Sequence, residues 1–227
     1  MLYNEEQVKA NIRNREGKRV YYLRKGDQLT SGARDFLNRE RIGILPAEQA
    51  KVDVYHLLNG AFLSEKPEHM THLNGDVLVE KNHPRILFRG KLDTLEAELI
   101  LCQLAEEALK APVGEVLALA RQIIRCEVLD EPLKWETLCG LTEDEQRMHS
   151  HFPQDYYGQP HFMPSAEDGM VIARLNRARC AAREAELAAV TAFVTSDGVV
   201  QRPDLLRALN RMSSMLYILM IQWKGKL

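Results

Sequence analysis

The spacing of apolar residues changes near residue 88, and that change divides the chain. Before it, apolar residues come in short runs. Lys18-Arg19-Val20-Tyr21-Tyr22-Leu23 is rich in β-branched and aromatic residues and predicts a strand. Gly26-Asp27 signals a turn, and Thr30 is placed to cap a short helix carrying Phe36 and Leu37. Ile42-Gly43-Ile44-Leu45 and Val52-Asp53-Val54-Tyr55 read as further short strands. Residues 1–60 therefore predict a small α/β unit of β-α-β type. It is too short to bury much surface alone and is expected to lean on the rest of the chain or on a partner.

After residue 88 the apolar period becomes helical. Leu92, Leu95, Leu99 and Cys102 recur at spacings of three and four, and Leu101, Leu104 and Ala108 broaden that stripe. Pro112 and Gly114 are expected to break it. A second helix is predicted over 115–128, with Leu119, Ile123 and Ile124 inward. Thr142 followed by Glu145 has the form of a capping box for a short helix. Residues 149–164, rich in His, Pro, Tyr and Gly, read as a long loop, and long loops in compact domains are often functional. Ser165 or Asp168 is expected to cap the next helix, which runs to about residue 194. Asp197-Gly198 marks a turn. Pro203 suits the first turn of a last helix, whose stripe is Leu205, Leu206, Leu209, Met212, Leu216, Leu219 and Met220. The expected fold is mainly α. A helical bundle of about five helices occupies residues 70–227, with the small N-terminal α/β appendage before it.

Composition narrows the function classes. The 227 residues carry a formal charge of −2, and the isoelectric point is about 6.4. No global field draws such a chain to nucleic acid or to acidic lipid. Residues 215–223, the longest apolar candidate, are about half of the ~18 residues that a membrane span needs. The first 16 residues are charged and lack the apolar region of a signal peptide, so a cytoplasmic location is expected. The four cysteines, Cys102, Cys126, Cys139 and Cys180, are never closer than 13 residues. They lack paired zinc-ligand spacing and read as reduced thiols.

Three polar stretches carry candidate chemistry. Arg179 and Arg183 are four apart on one helix and share a face. Two cations there repel unless an anion lies between them, and guanidinium forks suit a polyphosphate. The other reading is a solvated face paired with Glu184 and Glu186. Lys81, Arg85, Arg89 and Lys91 form a basic stretch leading into a helix N-terminus, which favours an anion; a solvated linker is the alternative. The Gly-Lys-Ser/Thr signature of a phosphate loop is absent. Asp93 in that first turn is favoured by the helix dipole and, if buried, needs an arginine partner. Asn210 and Arg211 interrupt the apolar last helix, either on its polar face or reaching for a ligand. His149, His151 and His161 match no metal-ligand spacing, and no metal site is expected from them.

The order of these elements resembles a known family. Thr71-His72-Leu73, Lys81, Pro84-Arg85, Phe88-Arg89 and Leu92-Asp93 look like the opening of the bundle in the ethanolamine-utilisation type ATP:cob(I)alamin adenosyltransferases. Asp130-Glu131-Pro132-Leu133, Gly140-Leu141 and Glu143-Asp144-Glu145 look like their middle. Arg202-Pro203-Asp204, Ala208-Leu209-Asn210-Arg211 and Ser213-Ser214 look like their final helix. Leu29-Thr30 with Ala33-Arg34 is similar to their N-terminal unit. The wider propanediol-utilisation type shares a sparser pattern, here Gly90 with Asp93, Phe162 to Pro164, and Arg179, Arg183 and Glu186.

The resemblance implies a bundle that binds ATP with Mg2+ and cob(I)alamin. The cobalt attacks the ribose 5′ carbon and triphosphate leaves. By position, Lys81, Arg85 and Arg183 hold phosphates, Thr71 and Asn210 join the ATP-binding set, and Asp93 pairs with Arg179. Phe162 sits under the corrin and excludes the lower ligand, with Phe152 and Tyr156 as alternatives. The implied partners are ATP and the reduced corrinoid, a second or third copy of the chain, and a cobalamin-dependent ammonia-lyase or a bacterial microcompartment. A corrinoid carrier without turnover and a recruitment protein of such a compartment are the competing readings.

Several positions depart from the family pattern. Thr94-Leu95-Glu96 follows Asp93 where the propanediol type has Glu-Leu-Asn. Glu184 follows Arg183 in place of a second arginine, and Leu187 replaces a further one. The Gly-rich phosphate loop is reduced to Asn74-Gly75-Asp76. His56 and His69 precede the Thr-His-Leu segment, but residues 1–101 hold no cysteine, so the divalent metal site of some members is not expected. On this reading Asp93→Ala abolishes adenosylation and leaves a folded protein. Circular dichroism and a turnover assay check it, and wild-type turnover would remove Asp93 from the reaction.

Overall fold

A computed structural model describes residues 1–15, 18–47, 55–63 and 65–227. The chain forms two compact units, Met1–Lys66 and Pro67–Leu227. The first holds β1 (Leu2–Tyr3), α1 (Glu5–Ala10), β2 (Arg13–Arg15), β3 (Lys18–Leu23), β4 (Gln28–Leu29), α2 (Ser31–Arg39), β5 (Gly43–Pro46), β6 (Tyr55–Leu57) and β7 (Phe62–Leu63). The β-α-β expectation is met by β3, α2 and β5: the strands run parallel, with Val20 opposite Gly43. Strand β2 pairs antiparallel along β3, and β6 pairs antiparallel with β7. The Thr30 side chain accepts the Ala33 N–H at 3.3 Å, which starts α2 where the sequence indicated. Val8, Tyr21, Leu29, Ala33, Phe36, Leu37 and Ile42 form a core of the unit's own. Of the strand expected over residues 52–55, residues 52–54 lie outside the described residues and Tyr55 opens β6.

The second unit opens with a hairpin, β8 (Met70–Asn74) and β9 (Val77–Glu80), turning at Gly75, whose φ is +51°. Asn74-Gly75-Asp76, read as the remnant of a phosphate loop, is this hairpin's turn. Six helices follow: α3 (Pro84–Ala105), α4 (Lys110–Leu129), α5 (Glu143–His151), α6 (Pro153–Tyr157), α7 (Gly169–Phe193) and α8 (Pro203–Lys224). Helix α3 starts before its apolar period does, because Pro84 occupies its first turn and the His83 ring accepts the Arg85 N–H at 3.2 Å. Pro112 and Gly114 do not break the chain as expected. Pro112 lies in the first turn of α4, where its missing N–H has no intrahelical partner to lose. Helix α6 occupies part of the expected loop, with Pro153 at its start and Gly158 in the left-handed conformation at its end.

Helix α7 is the centre of the bundle. Ala178, Ala181, Ala182, Ala185 and Ala189 are buried along it, and their small side chains let α3 and α8 both pack closely. Phe88, Leu92, Leu95 and Leu99 from α3 and Leu205, Leu209, Met212 and Leu216 from α8 fill the core. Two stretches that stood apart in the sequence hold each other. The Asp204 carboxylate accepts the Leu133 N–H at 2.9 Å and pairs with Arg202. Arg202 in turn donates to the Glu131 carbonyl at 2.8 Å. All four cysteines are free, and burial pushes the Cys102 and Cys139 thiols up to about 12.

No helix among the described residues is long and apolar enough to cross a membrane. The two ends of the bundle's last helices are tied by Lys224, which pairs with the buried Asp168 carboxylate. The Lys224 hydrogen bond, with the Ser165 N–H donating as well, holds Asp168 below the usual carboxylate range. A carboxylate whose folded pKa is depressed stabilises the fold above its unfolded value and loses that contribution as pH falls through the folded one. Asp168→Asn is therefore expected to lower the urea midpoint clearly at pH 7 and much less at pH 3. Equal losses at both pH values would assign the effect to packing rather than charge.

Candidate functional site

The groove between α7 and α8 holds two of the residues singled out in the sequence, with two more beside it. Arg179 and Arg183 line a cavity of about 250 Å3 with Ser213, Ser214 and Tyr217 of α8 and with Ser150, His151 and His161. Their place follows from the helical period. Glu186 marks the α7 edge that faces α8, since its carboxylate accepts the Asn210 amide at 2.9 Å. Arg183 is one turn from it and Arg179 two. Arg179 leans on the Asn176 side-chain oxygen at 3.0 and 3.2 Å, and Arg183 is exposed.

Two aromatic rings, Tyr217 and His161, belong to the lining of this cavity. Tyr217 stacks on His161 with centroids 5.8 Å apart and on Phe162 at 6.5 Å. His161 Nε2 lies 3.1 Å from the His151 carbonyl, which only accepts, so Nε2 carries the proton. Nδ1 then accepts from the Tyr217 hydroxyl at 2.9 Å. This fixes the segment bearing Phe162 against α8. The ring of Phe162 is half-buried and has the Lys224 ammonium 5.8 Å from its centre. Phe152 and Tyr156, the other aromatics considered, are exposed, and Tyr156 stacks on His149 at 3.8 Å. Asn210 is locked on both sides of its amide, by Glu186 and by the guanidinium of Arg211. Burial holds that guanidinium below its usual pKa.

The remaining candidates form a second cluster, around the β8–β9 hairpin and the start of α3. Thr71 is half-buried on β8. Lys81 is exposed, with its ammonium 3.2 Å from Glu68. Arg85 and Arg89, one turn apart, both donate to the carboxylate of Glu127 on α4. That carboxylate is 0% exposed, against 22% and 17% for the two guanidiniums. The sequence reading missed Glu127. The signal was present: the inward stripe of α4 passes through Ala120 and Ile123, and its next position is 127, where a charge in a core position demands a partner of opposite sign. Burial, with Arg85 and Arg89 nearby, holds His83 below its ordinary pKa.

Asp93 belongs to neither cluster. It is exposed on the outer face of α3 and makes no ion pair among the described residues. The α3 edge facing α7 is marked instead by Lys91, 2.8 Å from Glu184, and by Glu98, 3.2 Å from Arg177. Asp93 is roughly half a turn of azimuth from Lys91, while Arg179 looks toward α8. The expected Asp93–Arg179 pair is therefore not made within one chain. The three histidines do not converge: His149 binds the Tyr157 hydroxyl at 2.7 Å, His151 the Arg147 carbonyl at 2.8 Å, and His161 the Tyr217 hydroxyl. Among the described residues no three His, Cys, Asp or Glu side chains gather as a metal would require.

Comparison with known proteins gives one consistent result. Residues 61–223 match the model of a family described as cobalamin adenosyltransferase. The chain is 38% identical over 158 residues to the corrinoid adenosyltransferase EutT of Salmonella typhimurium, covering 69% of this chain. It is 35% identical over 160 residues to the corrinoid adenosyltransferase EutT of Escherichia coli strain K12, covering 70% of this chain. It spans 59% and 60% of the length of these two relatives.

Proposed function

Since the chain belongs to the cobalamin adenosyltransferase family, we propose that it transfers the 5′-deoxyadenosyl group from the Mg2+ complex of ATP to cob(I)alamin. The cobalt lone pair forms a bond to C5′, the C5′–O bond breaks, and its electron pair leaves with triphosphate. The observation that carries this reading is the α7–α8 groove, where two guanidiniums share a lining with the rings of Tyr217 and His161. The groove supplies what such a displacement requires. Positive charge from Arg179 and Arg183 meets the leaving triphosphate, and fixed rings hold two large reactants in line. Phe162, braced by Tyr217, lies under the corrin and keeps a ligand from its lower face. Asn210 contacts the nucleotide in an orientation set by Glu186 and Arg211.

The second cluster completes the ATP site across a subunit boundary. Lys81 and Arg85 add phosphate contacts, Thr71 belongs to the same set, and Asp93 of one copy meets Arg179 of another. The reading is supported by the position of Asp93 on an outer face of α3 that also exposes Ile100, Leu101 and Leu104. Gly90 lies on that face too, and a side chain there would meet nothing within 4 Å in its own chain. A helical glycine costs about 1 kcal/mol relative to alanine. Close approach of a neighbouring copy, as a dimer or trimer, gives a reason for it. On the ethanolamine-utilisation resemblance, the product serves a cobalamin-dependent ammonia-lyase, in the cytoplasm or within a bacterial microcompartment.

The direct test is an anaerobic assay with ATP, Mg2+ and chemically reduced cob(I)alamin, following the light-sensitive cobalt–carbon bond by absorbance. Protein-dependent product is expected. Corrinoid binding without product would make the chain a carrier, and neither would leave only the bundle. A mixing experiment tests the shared site: Asp93→Ala and Arg179→Ala are each expected to be inactive, and to recover part of the activity when refolded together. A mixture as inactive as its parts would place the site within one chain.

A further inference from the structure

We infer that Glu127 is a positioning residue for the nucleotide site, holding Arg85 with one edge of its guanidinium turned toward the triphosphate. The inference rests on the adenosyltransferase reading above. Glu127 has a fully buried carboxylate, and taking one out of water costs several kcal/mol unless partners compensate. Both its oxygens are used, one by Arg85 and one by Arg89 at 2.6 Å. The two arginines are not equivalent. Every nitrogen of Arg89 has a partner: Nε on Glu127, and the terminal nitrogens on the carbonyls of His72 at 3.3 Å and Leu73 at 2.6 Å. Arg89 thereby pins the β8–β9 hairpin to α4 and has no edge left to offer. Arg85 donates through Nε to the carboxylate and through one terminal nitrogen to the Glu127 carbonyl at 2.8 Å. Its other terminal nitrogen has no partner among the described residues.

The charges are just as unequal. Two guanidiniums face one carboxylate, so the cluster keeps one net positive charge, and Arg85 is the member with a donor left to present it. The ring of Phe193 lies 5.8 Å from its guanidinium and limits the plane it adopts. His83 is held toward its neutral form by burial and the two arginines, and adds no further cation. A guanidinium with one edge clamped and the other free is organised before an anion arrives, so binding loses little side-chain entropy. If Glu127 served only to fasten the hairpin, its loss would change stability and leave nucleotide affinity alone.

That difference sets the experiment. Glu127→Gln keeps the shape and removes the charge. Inorganic triphosphate is titrated calorimetrically into the full-length wild type and the variant, and steady-state rates are measured against ATP and against corrinoid. The expected result is about tenfold weaker triphosphate binding and a similar rise in KM for ATP, the loss of roughly one charge-assisted contact, with kcat and corrinoid affinity within twofold. If Glu127→Gln does not fold, Glu127→Gln with Arg89→Gln carries the same measurement, because that pair of changes keeps the local net charge. An unchanged triphosphate affinity and KM for ATP in a folded, active variant overturns the role of Glu127 and leaves the adenosyltransferase reading intact. A wild type that neither binds triphosphate nor turns over overturns both.

Discussion

The close packing of α7 against two neighbours sets the geometry on which everything else in the bundle depends. An alanine face brings α3 and α8 near its axis, and it also decides what each polar edge of α7 can reach. The edge toward α3 carries Arg177 and Glu184 in ion pairs with Glu98 and Lys91. The edge toward α8 carries Arg179, Arg183 and Glu186, which look into the groove. A larger residue at Ala182 or Ala185 would push the helices apart, and overpacking of this kind costs about 1–3 kcal/mol. It would also widen the groove and move Tyr217 away from Arg179, so packing and site geometry cannot be altered separately.

Much of this was legible in the sequence, for physical reasons that differ between elements. The long helices α3, α4, α7 and α8 announce themselves because each must bury one continuous stripe, and a stripe has a period. Helix α6 was hidden because Pro153 reads as a breaker, although proline is compatible with a helix's first turn. The β8–β9 hairpin was hidden because its strands are too short to show a clear alternation before the helical signal begins. The spacing of Arg179 and Arg183 put them on one helix face, and both line one cavity; Asn210 bonds Glu186 on the same edge of α7, and Phe162 stacks on the Tyr217 of that lining. The Asp93–Arg179 pairing was expected and is absent within the chain. The period of one helix gives the face a residue occupies, but not which neighbour that face meets. Glu127 shows the reverse case, a residue whose own stripe placed it in the core and whose charge then required the two arginines.

The buried charges share a common economy. Glu127 and Asp168 are each desolvated and each held by cations from distant parts of the chain. Pairs of this type add less to stability than their Coulomb attraction suggests, because dehydration opposes it. What they do is select one arrangement: a helix rotated by a residue strands a charge without a partner. Two such clamps, one at the start of α3 and one joining the start of α7 to the end of α8, register the bundle at both places where its candidate substrate contacts begin.

The link between Arg202, Asp204 and the segment after α4 has a consequence for how the chain is made. Leu133 and Asp204 are 71 residues apart, and Arg202 reaches back to carbonyls at the end of α4. Those carbonyls lack this donor until the segment carrying Arg202 has been made. The register of α8 against the segment after α4 is therefore set by groups that only the start of α8 supplies.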